Sequence, residues 1–359
     1  MATRRETLTR MVAGTSLALT GGRRSRAEAG GGPARIKIGQ IGVGHGHADK
    51  LAIWRRSDDY EVVGVVEPDP AARAAAESQP AFRGLPWMTR QQLLELPGLQ
   101  VVLVETAVSE SLDAAEACVA AGKHIHLDKP PGSSLPRLAR ILDAATRQRL
   151  LVQMGYMYRY NPGFVMLRQF VRDGWLGEIF EAHAVMSKAM DPESRRQLAA
   201  YPGGTLFEYG GYLIDMIFTI LGPAERIVGF TQHAAQTADT LVDNGVAVLA
   251  YPRALATIRS SAMEVLGQGR RHLVVCGTEG TFQIQPLDDP VVTLTLARPR
   301  GGRAAGTHRL TMPRYERHVA DAADMARVIR GEKPTDFPAE HDLAVHRALL
   351  EACRLPLDV

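Results

Sequence analysis

Between residues 35 and 154, short apolar runs alternate with amphipathic ones at a spacing that admits few folds. Runs at 36–41, 61–66, 101–105, 124–127 and 150–154 read as strands, and the stretches to 54, 71–78, 112–121 and 135–147 read as helices. Short strands separated by helices of this length imply a parallel, doubly wound sheet. After about residue 155 the rhythm changes. Segments 162–173 and 205–221 read as helices, but 178–188, 227–232, 242–251, 254–262, 272–276, 281–285 and 291–297 follow one another as strands. Such a run predicts a large, mostly antiparallel open sheet, closed here by helices at 314–330 and 339–353.

The expected class is therefore α/β, with a parallel-sheet domain at 34–154 and an α+β domain at 155–359. A chain of 359 residues with 45% hydrophobic content is long enough for two cores. Its 42 basic and 39 acidic residues leave a charge of +3, and Arg4, Arg5, Arg10, Arg23, Arg24 and Arg26 concentrate the excess at the start. The body is slightly acidic, so charge gives no argument for a nucleic-acid partner. Cys118, Cys276 and Cys353 form no CxxC pair, which argues against a disulfide framework and against a thiolate metal site; no metal is expected.

Residues 1–33 combine the pair Arg4-Arg5, an uncharged stretch at 11–22 and Ala27-Glu28-Ala29. These describe a twin-arginine export leader, and hence a periplasmic protein; a disordered basic tail on a cytoplasmic protein is the competing reading. The stretch is too short to span a bilayer, which takes roughly 20 apolar residues, so no stable membrane insertion is expected.

Gly42 and Gly44 follow the first strand and precede a helix, the context in which a G-x-G turn binds a dinucleotide. The first glycine allows the tight turn, and the second lets a pyrophosphate approach the backbone. The fingerprint is incomplete, because His47 stands at the third glycine position. Glu67 ends the second strand, where a carboxylate accepts both ribose hydroxyls of NAD and repels the 2′-phosphate of NADP. The sequence thus predicts a Rossmann domain with Gly42, Gly44, His45, Gly46, His47 and Glu67 on the cofactor.

The segment His124 to Pro131 ends a short apolar run in Asp128-Lys129-Pro130-Pro131. Proline fixes φ and removes a donor, so the chain leaves the sheet as a rigid turn, carrying Lys129 to the carboxyl ends of the strands where open α/β sheets bind ligands. A solvated lysine in an ordinary turn is the competing reading.

Together these pieces resemble the Gfo/Idh/MocA oxidoreductases, over about residues 35–353. The marks are Gly42-x-Gly44, Ala120-Ala121-Gly122-Lys123-His124 leading to Asp128-Lys129-Pro130, Tyr158-Arg159-Tyr160-Asn161-Pro162, Gly174-Trp175-Leu176-Gly177-Glu178-Ile179, the stretch 203–215, and Cys276-Gly277-Thr278-Glu279-Gly280-Thr281. The resemblance makes Lys129 the leading catalytic residue, beside the nicotinamide and the reacting hydroxyl, with Asp128 and Thr106 at the cofactor. The family's Asp, His and Asp on a helix correspond to Glu208, Tyr212 and Asp215, which share one helical face. Tyrosine in place of histidine is the main departure, since a phenol near pKa 10 needs a neighbouring cation to act as a base; Lys129 is the candidate. A second departure is Thr106-Ala107-Val108-Ser109-Glu110-Ser111, which lacks the family's proline and histidine. Tyr156, Arg159, Tyr160 and Asn161 open the second domain as candidate substrate contacts.

The resemblance implies an enzyme that moves hydride between NAD, dissociable or tightly held, and a hydroxyl-bearing carbon of a sugar, cyclitol or sugar derivative, Tyr212 taking the proton and Lys129 polarising the oxygen. NADP fits less well. Redox-dependent cleavage of a glycoside and a catalytically silent sugar-binding homologue are the alternatives. The broad second sheet is expected to pair copies of the chain into a homo-oligomer.

Overall fold

The computed structural model describes residues 34–359; the arginine pair and the small-residue site of the expected leader lie outside them. Five parallel strands build the first sheet: β1 (Ile36–Ile41), β2 (Tyr60–Val66), β3 (Leu99–Val104), β4 (His124–Leu127) and β5 (Val152–Met154), in the order β2-β1-β3-β4-β5. Val101, Val102 and Leu103 are all fully buried, as an uninterrupted apolar strand covered on both faces must be. The covering helices are α1 (Leu51–Arg56), α2 (Pro70–Glu77), α3 (Arg90–Leu94), α4 (Ser111–Ala120) and α5 (Leu135–Arg147). Strand order reverses between β1 and β3, so the ligand crevice lies outside their carboxyl ends.

Local chemistry sets several of these boundaries. Asp69 caps α2 by accepting from the Ala71 N–H, with Pro70 at the first helical position. Helix α3, which the sequence reading omits, is only five residues long but carries a reciprocal capping box between Thr89 and Gln92. The first helix starts later than expected: a 3-10 turn at Ala48–Lys50 precedes α1.

The second sheet has eight strands: β6 (Ile179–Val185), β7 (Arg226–Gln232), β8 (Asn244–Ala250), β9 (Leu255–Ser261), β10 (His272–Gly277), β11 (Gly280–Ile284), β12 (Val292–Leu296) and β13 (Gly306–Leu310). Their order is β13-β12-β11-β10-β6-β9-β8-β7, antiparallel throughout except for the parallel pair β6 and β9. The helices of this half are α6 (Pro162–Arg172), α7 (Pro192–Ala199), α8 (Gly204–Leu221), α9 (Val319–Ile329) and α10 (Ala339–Ala352); the sequence reading omits α7 and β13.

Helix α8 is apolar nearly all round because it lies between the second sheet and α10. Each fully buried Leu or Ile along it contributes about 1.5–3 kcal/mol. On β7 to β9 the inward side holds Gly229, Ala247, Leu249, Ala256 and Ile258, and a Cβ at Gly229 would lie 1.8 Å from the Ala352 carbonyl oxygen, so α10 needs glycine there. The outward side shows Phe230 and Leu255, 60% and 58% exposed, beside Val228, Val246 and Val248. Residues 35–359 cluster as one compact unit. Among the described residues no helix is long and apolar enough to cross a membrane.

Candidate active site

The turn after β1 is built to approach a ligand. Gly42 has φ +91°, and a Cβ there would sit 2.5 Å from the Thr106 nitrogen, so the turn requires glycine. Gly44 and Gly46 are different: the nearest protein atom to a Cβ at Gly44 is 3.8 Å away, and Gly46 has none within 4 Å. Their bare backbone leaves room for a nucleotide, the cradle a Cβ would fill. Glu67 accepts from the Val43 N–H through Oε2 and from the Asp69 N–H through Oε1, both at 3.0 Å, which sets the carboxylate against the turn. Each oxygen keeps a lone pair for a ribose hydroxyl. The Thr106 hydroxyl is turned to its own loop, donating to the Ala107 carbonyl.

Beneath the turn lies a charge cluster that the sequence reading missed. The Lys50 ammonium, 2% exposed, stands 2.6 Å from Glu105 Oε1 and 2.6 Å from Asp128 Oδ2, and donates to His126 Nε2 at 2.9 Å. That bond fixes the tautomer in which His126 Nδ1 donates to Gln153 Oε1. Burial pushes the Glu105 carboxyl well above its usual range and outweighs Lys50. Burial opposes the Asp128 charge too, but His45, Lys50 and His47 around it hold that carboxyl well below its usual range. The two carboxyls are thus pushed in opposite directions, Asp128 towards its charged form and Glu105 towards its protonated one. Burial lowers His45 to about 4, so it is neutral at pH 7. The sequence signal was available: Glu105 terminates an all-apolar run, and Lys50 interrupts the apolar face of a helical turn.

His45, His47 and Asp128 also bring three ligand-type atoms within 4.8 Å of one another. The Lys50 ammonium already holds the Asp128 oxygen and supplies the positive charge that a metal ion would bring. Asp128 is accordingly a buried organiser and does not face a cofactor, contrary to expectation. Its Oδ1 accepts from the Lys129 N–H at 2.6 Å, and a Cβ at Gly155 would reach within 2.7 Å of the same oxygen.

Lys129 follows β4 as expected, through a cis bond to Pro130, but its side chain is 1% exposed. The ammonium donates to Glu208 Oε1 at 2.5 Å and to the Glu208 carbonyl at 3.1 Å. Glu208, 16% exposed, lines the cleft and stands between the lysine and the open space. Tyr212 does not meet its expectation. Lys129 Nζ lies over the ring face, 4.9 Å from its centroid, and the hydroxyl is buried with no hydrogen-bond partner among the described residues. Burial, with Asp128 and Glu208 adding to it, drives the phenol well above its ordinary value, the reverse of the shift a base requires.

Asp215 likewise faces away from the cleft. It takes a forked pair of bonds from Arg159 and one contact from His341 Nε2 at 2.9 Å, and Arg159 also bonds Asp342 on α10. Arg159 is 2% exposed, so it braces α8 against α10 and is not presented to a substrate. Asn161 caps α6 and donates to the Leu287 carbonyl, Tyr160 bonds Asp324, and Tyr156 is buried against Tyr212. All four expected substrate contacts are thus structural, for one reason: the motif that holds them is the hinge where β5 enters the second half.

The cleft itself, about 760 Å³, runs from Gly44, His45, Gly46 and His47 past Ala107 to Ser109 and Ser133 to the far wall of Lys188, Tyr201, Phe207, Glu208 and Tyr209. Of the far-wall residues only Glu208 was expected as a site residue: Lys188 follows β6 and Tyr201 follows α7, stretches that carry no motif, whereas Phe207 and Tyr209 flank Glu208 on α8.

Residues 36–156 match the family model described as "Oxidoreductase family, NAD-binding Rossmann fold", and residues 164–283 match "GFO/IDH/MocA C-terminal domain". The chain is 26% identical over 255 residues to trans-1,2-dihydrobenzene-1,2-diol dehydrogenase of Macaca fuscata fuscata, covering 69% of this chain and 74% of the relative. It is 28% identical over 162 residues to inositol 2-dehydrogenase of Agrobacterium fabrum, covering 44% and 47%. Its fold is that of the WlbA dehydrogenase from Bordetella pertussis, solved with NADH and UDP-GlcNAcA, at TM-score 0.70 and 18% identity over 90% of this chain and 100% of the other. GenD2 from gentamicin A biosynthesis, solved with NAD, gives TM-score 0.73 at 20% identity over 89% and 93%.

Proposed function

The chain belongs to the Gfo/Idh/MocA oxidoreductase family, and from that premise we propose that it transfers hydride between NAD and a hydroxyl-bearing carbon of a sugar, cyclitol or sugar derivative. The observation that carries this reading is the Lys129–Glu208 pair at the cleft, with the Lys129 carbonyl 3.2 Å from His45 Nε2 of the glycine turn and Glu208 on the cleft lining. Gly42, Gly44 and Gly46 would hold the pyrophosphate half of the cofactor, and Glu67 its ribose, which favours NAD over NADP. Bound nicotinamide supplies the hydride acceptor.

The chain's own residues handle the proton. The Glu208 carboxylate on the cleft lining accepts the proton and opens to solvent, and the Lys129 ammonium held behind it lowers the cost of alkoxide character through the positive field it adds there. Asp128 holds the Lys129 backbone and Lys50 keeps Asp128 charged. Glu208 thus takes the part first given to Tyr212. The relatives' printed names, an inositol dehydrogenase and a diol dehydrogenase, support a vicinal-hydroxyl substrate. We further propose that the protein pairs through the outward face of β7 to β9 and works outside the cytoplasm.

Purification without added nucleotide tests the premise directly. Released NAD(H), or a rise in Tm with NAD that exceeds the rise with NADP, is expected. Failure of both nucleotides to bind, with none released on purification, overturns the reading, and aglycone release without net change at 340 nm redirects it to redox-dependent glycoside cleavage.

A further inference from the structure

Lys188 follows β6 on the far wall of the cleft, half-buried, and makes no ion pair among the described residues. The other charged side chains lining the cleft are matched within the protein. Lys129 neutralises Glu208, and Arg137 is engaged by Glu116 at 2.6 Å and by Asp113. One uncompensated positive charge therefore remains in a concave site, where partial desolvation strengthens its pull on an anion. Among the described residues Glu208 is the only carboxylate on the lining, and it is already paired. Tyr201 and Tyr209 flank the same wall with half-buried rings, faces suited to the C–H side of a sugar ring.

We propose that Lys188 reads an anionic substituent on the substrate, and that the substrate is a sugar acid bearing a single carboxylate. The charge count selects the carboxylate: one free ammonium matches a monoanion, whereas a phosphate dianion would need a second cation, and Arg137 is held by two carboxylates. This specificity rests on the oxidoreductase reading and adds the substrate class to it. The competing source of an anion at Lys188 is the phosphate of the nucleotide itself.

The test uses the full chain, with and without saturating NAD, and measures the Tm shift produced by glucuronate, galacturonate, gluconate, glucose and glucose 6-phosphate. At least one of the three sugar acids is expected to bind tenfold or more tightly than glucose. K188Q should lose at least tenfold of that affinity while its affinity for NAD stays within twofold, and K188R should recover most of the loss. Equal binding of glucose and the acids, binding of none of the acids, or an unchanged affinity in K188Q overturns the proposal. Tighter binding of glucose 6-phosphate overturns the carboxylate assignment, and a loss of NAD affinity in K188Q assigns the lysine to the nucleotide. Absence of NAD binding in the wild type would sink the oxidoreductase reading separately, since sugar-acid binding is also read without NAD.

Discussion

The ammonium of Lys129 meets Tyr212 at the face of its ring, 4.9 Å from the centroid, and not at its hydroxyl. A cation over a ring is attracted by the quadrupole but does not stabilise a phenolate oxygen pointing elsewhere. The Tyr212 hydroxyl is buried without a partner among the described residues, so removing it costs little. Tyr212→Phe is expected to change stability by no more than about 1 kcal/mol and kcat by less than about tenfold. Glu208→Gln should instead lower kcat by about 10²–10⁴-fold, the usual worth of a positioned acid–base group. Steady-state NAD reduction by both variants decides between them; a collapse in Tyr212→Phe with activity retained in Glu208→Gln restores the tyrosine as base.

Lys50 is the sole full positive charge touching Glu105 and Asp128 among the described residues. Lys50→Met would leave the Asp128 charge buried without its counter-ion, a change that costs about 3–5 kcal/mol. Denaturant unfolding should show that loss, with a lower midpoint and an unchanged slope. Adding Asp128→Asn to Lys50→Met removes the stranded charge, so the double variant should regain part of the stability; strict additivity would show that the two groups are not coupled.

The fold was legible wherever periodicity and punctuation agreed. Strands 36–41 and 124–127 and the glycine turn between β1 and α1 follow from apolar runs ended by Gly or Pro. What escaped was short or unmarked: α3 with five residues, α7 on a polar stretch, and β13 near the end. At the candidate site, the expected Glu208 lines the cleft with Lys129 paired to it, whereas Arg159, Tyr160, Asn161 and Asp215 are turned to bonds within the fold and Tyr156 is buried against Tyr212. Polar residues near a motif suggest a ligand, yet Arg159 bridges Asp215 of α8 and Asp342 of α10, a pairing that only the tertiary structure reveals. Lys50 and Glu105 lie 55 positions apart (105 − 50), and no local pattern joins them.

The two kinds of glycine in the turn separate folding from binding. Gly42→Ala forces a Cβ into the Thr106 backbone at positive φ, and should both lower Tm and abolish the NAD-induced Tm shift. Gly46→Ala meets nothing within 4 Å, so the protein alone should tolerate it. Its Tm without nucleotide is expected to match the wild type, while its NAD affinity falls. Equal NAD binding by Gly46→Ala and wild type would place the nucleotide elsewhere.

Phe230 pairs with Val246 on the outward face of β7 and β8 and is 60% exposed, a large apolar surface for a chain on its own. If two copies cover this face, light scattering on the wild type should give twice the chain's 39.1 kDa or a multiple of it. Phe230→Glu should then shift the population to the single chain while leaving its far-UV circular dichroism intact. A wild type that is monomeric at micromolar concentration removes the proposed pairing.

His346 on α10 is fully buried, and neither ring nitrogen has a hydrogen-bond partner among the described residues. Burial lowers its pKa from 6.5 to about 4, because the imidazolium cannot be solvated there. The unfolded chain takes up a proton near pH 6.5 that the folded chain refuses until about pH 4, so this contribution is complete above 6.5 and is lost as the pH falls towards 4. The loss amounts to roughly 3 kcal/mol over that window. His346→Leu removes the titrating group and two unpaired polar atoms at similar volume. It should therefore raise stability most at pH 4–5 and flatten the acid limb between pH 6.5 and 4, which urea titrations at stepped pH will measure. Parallel acid limbs in variant and wild type would show that the imidazole is reached by water in the folded protein.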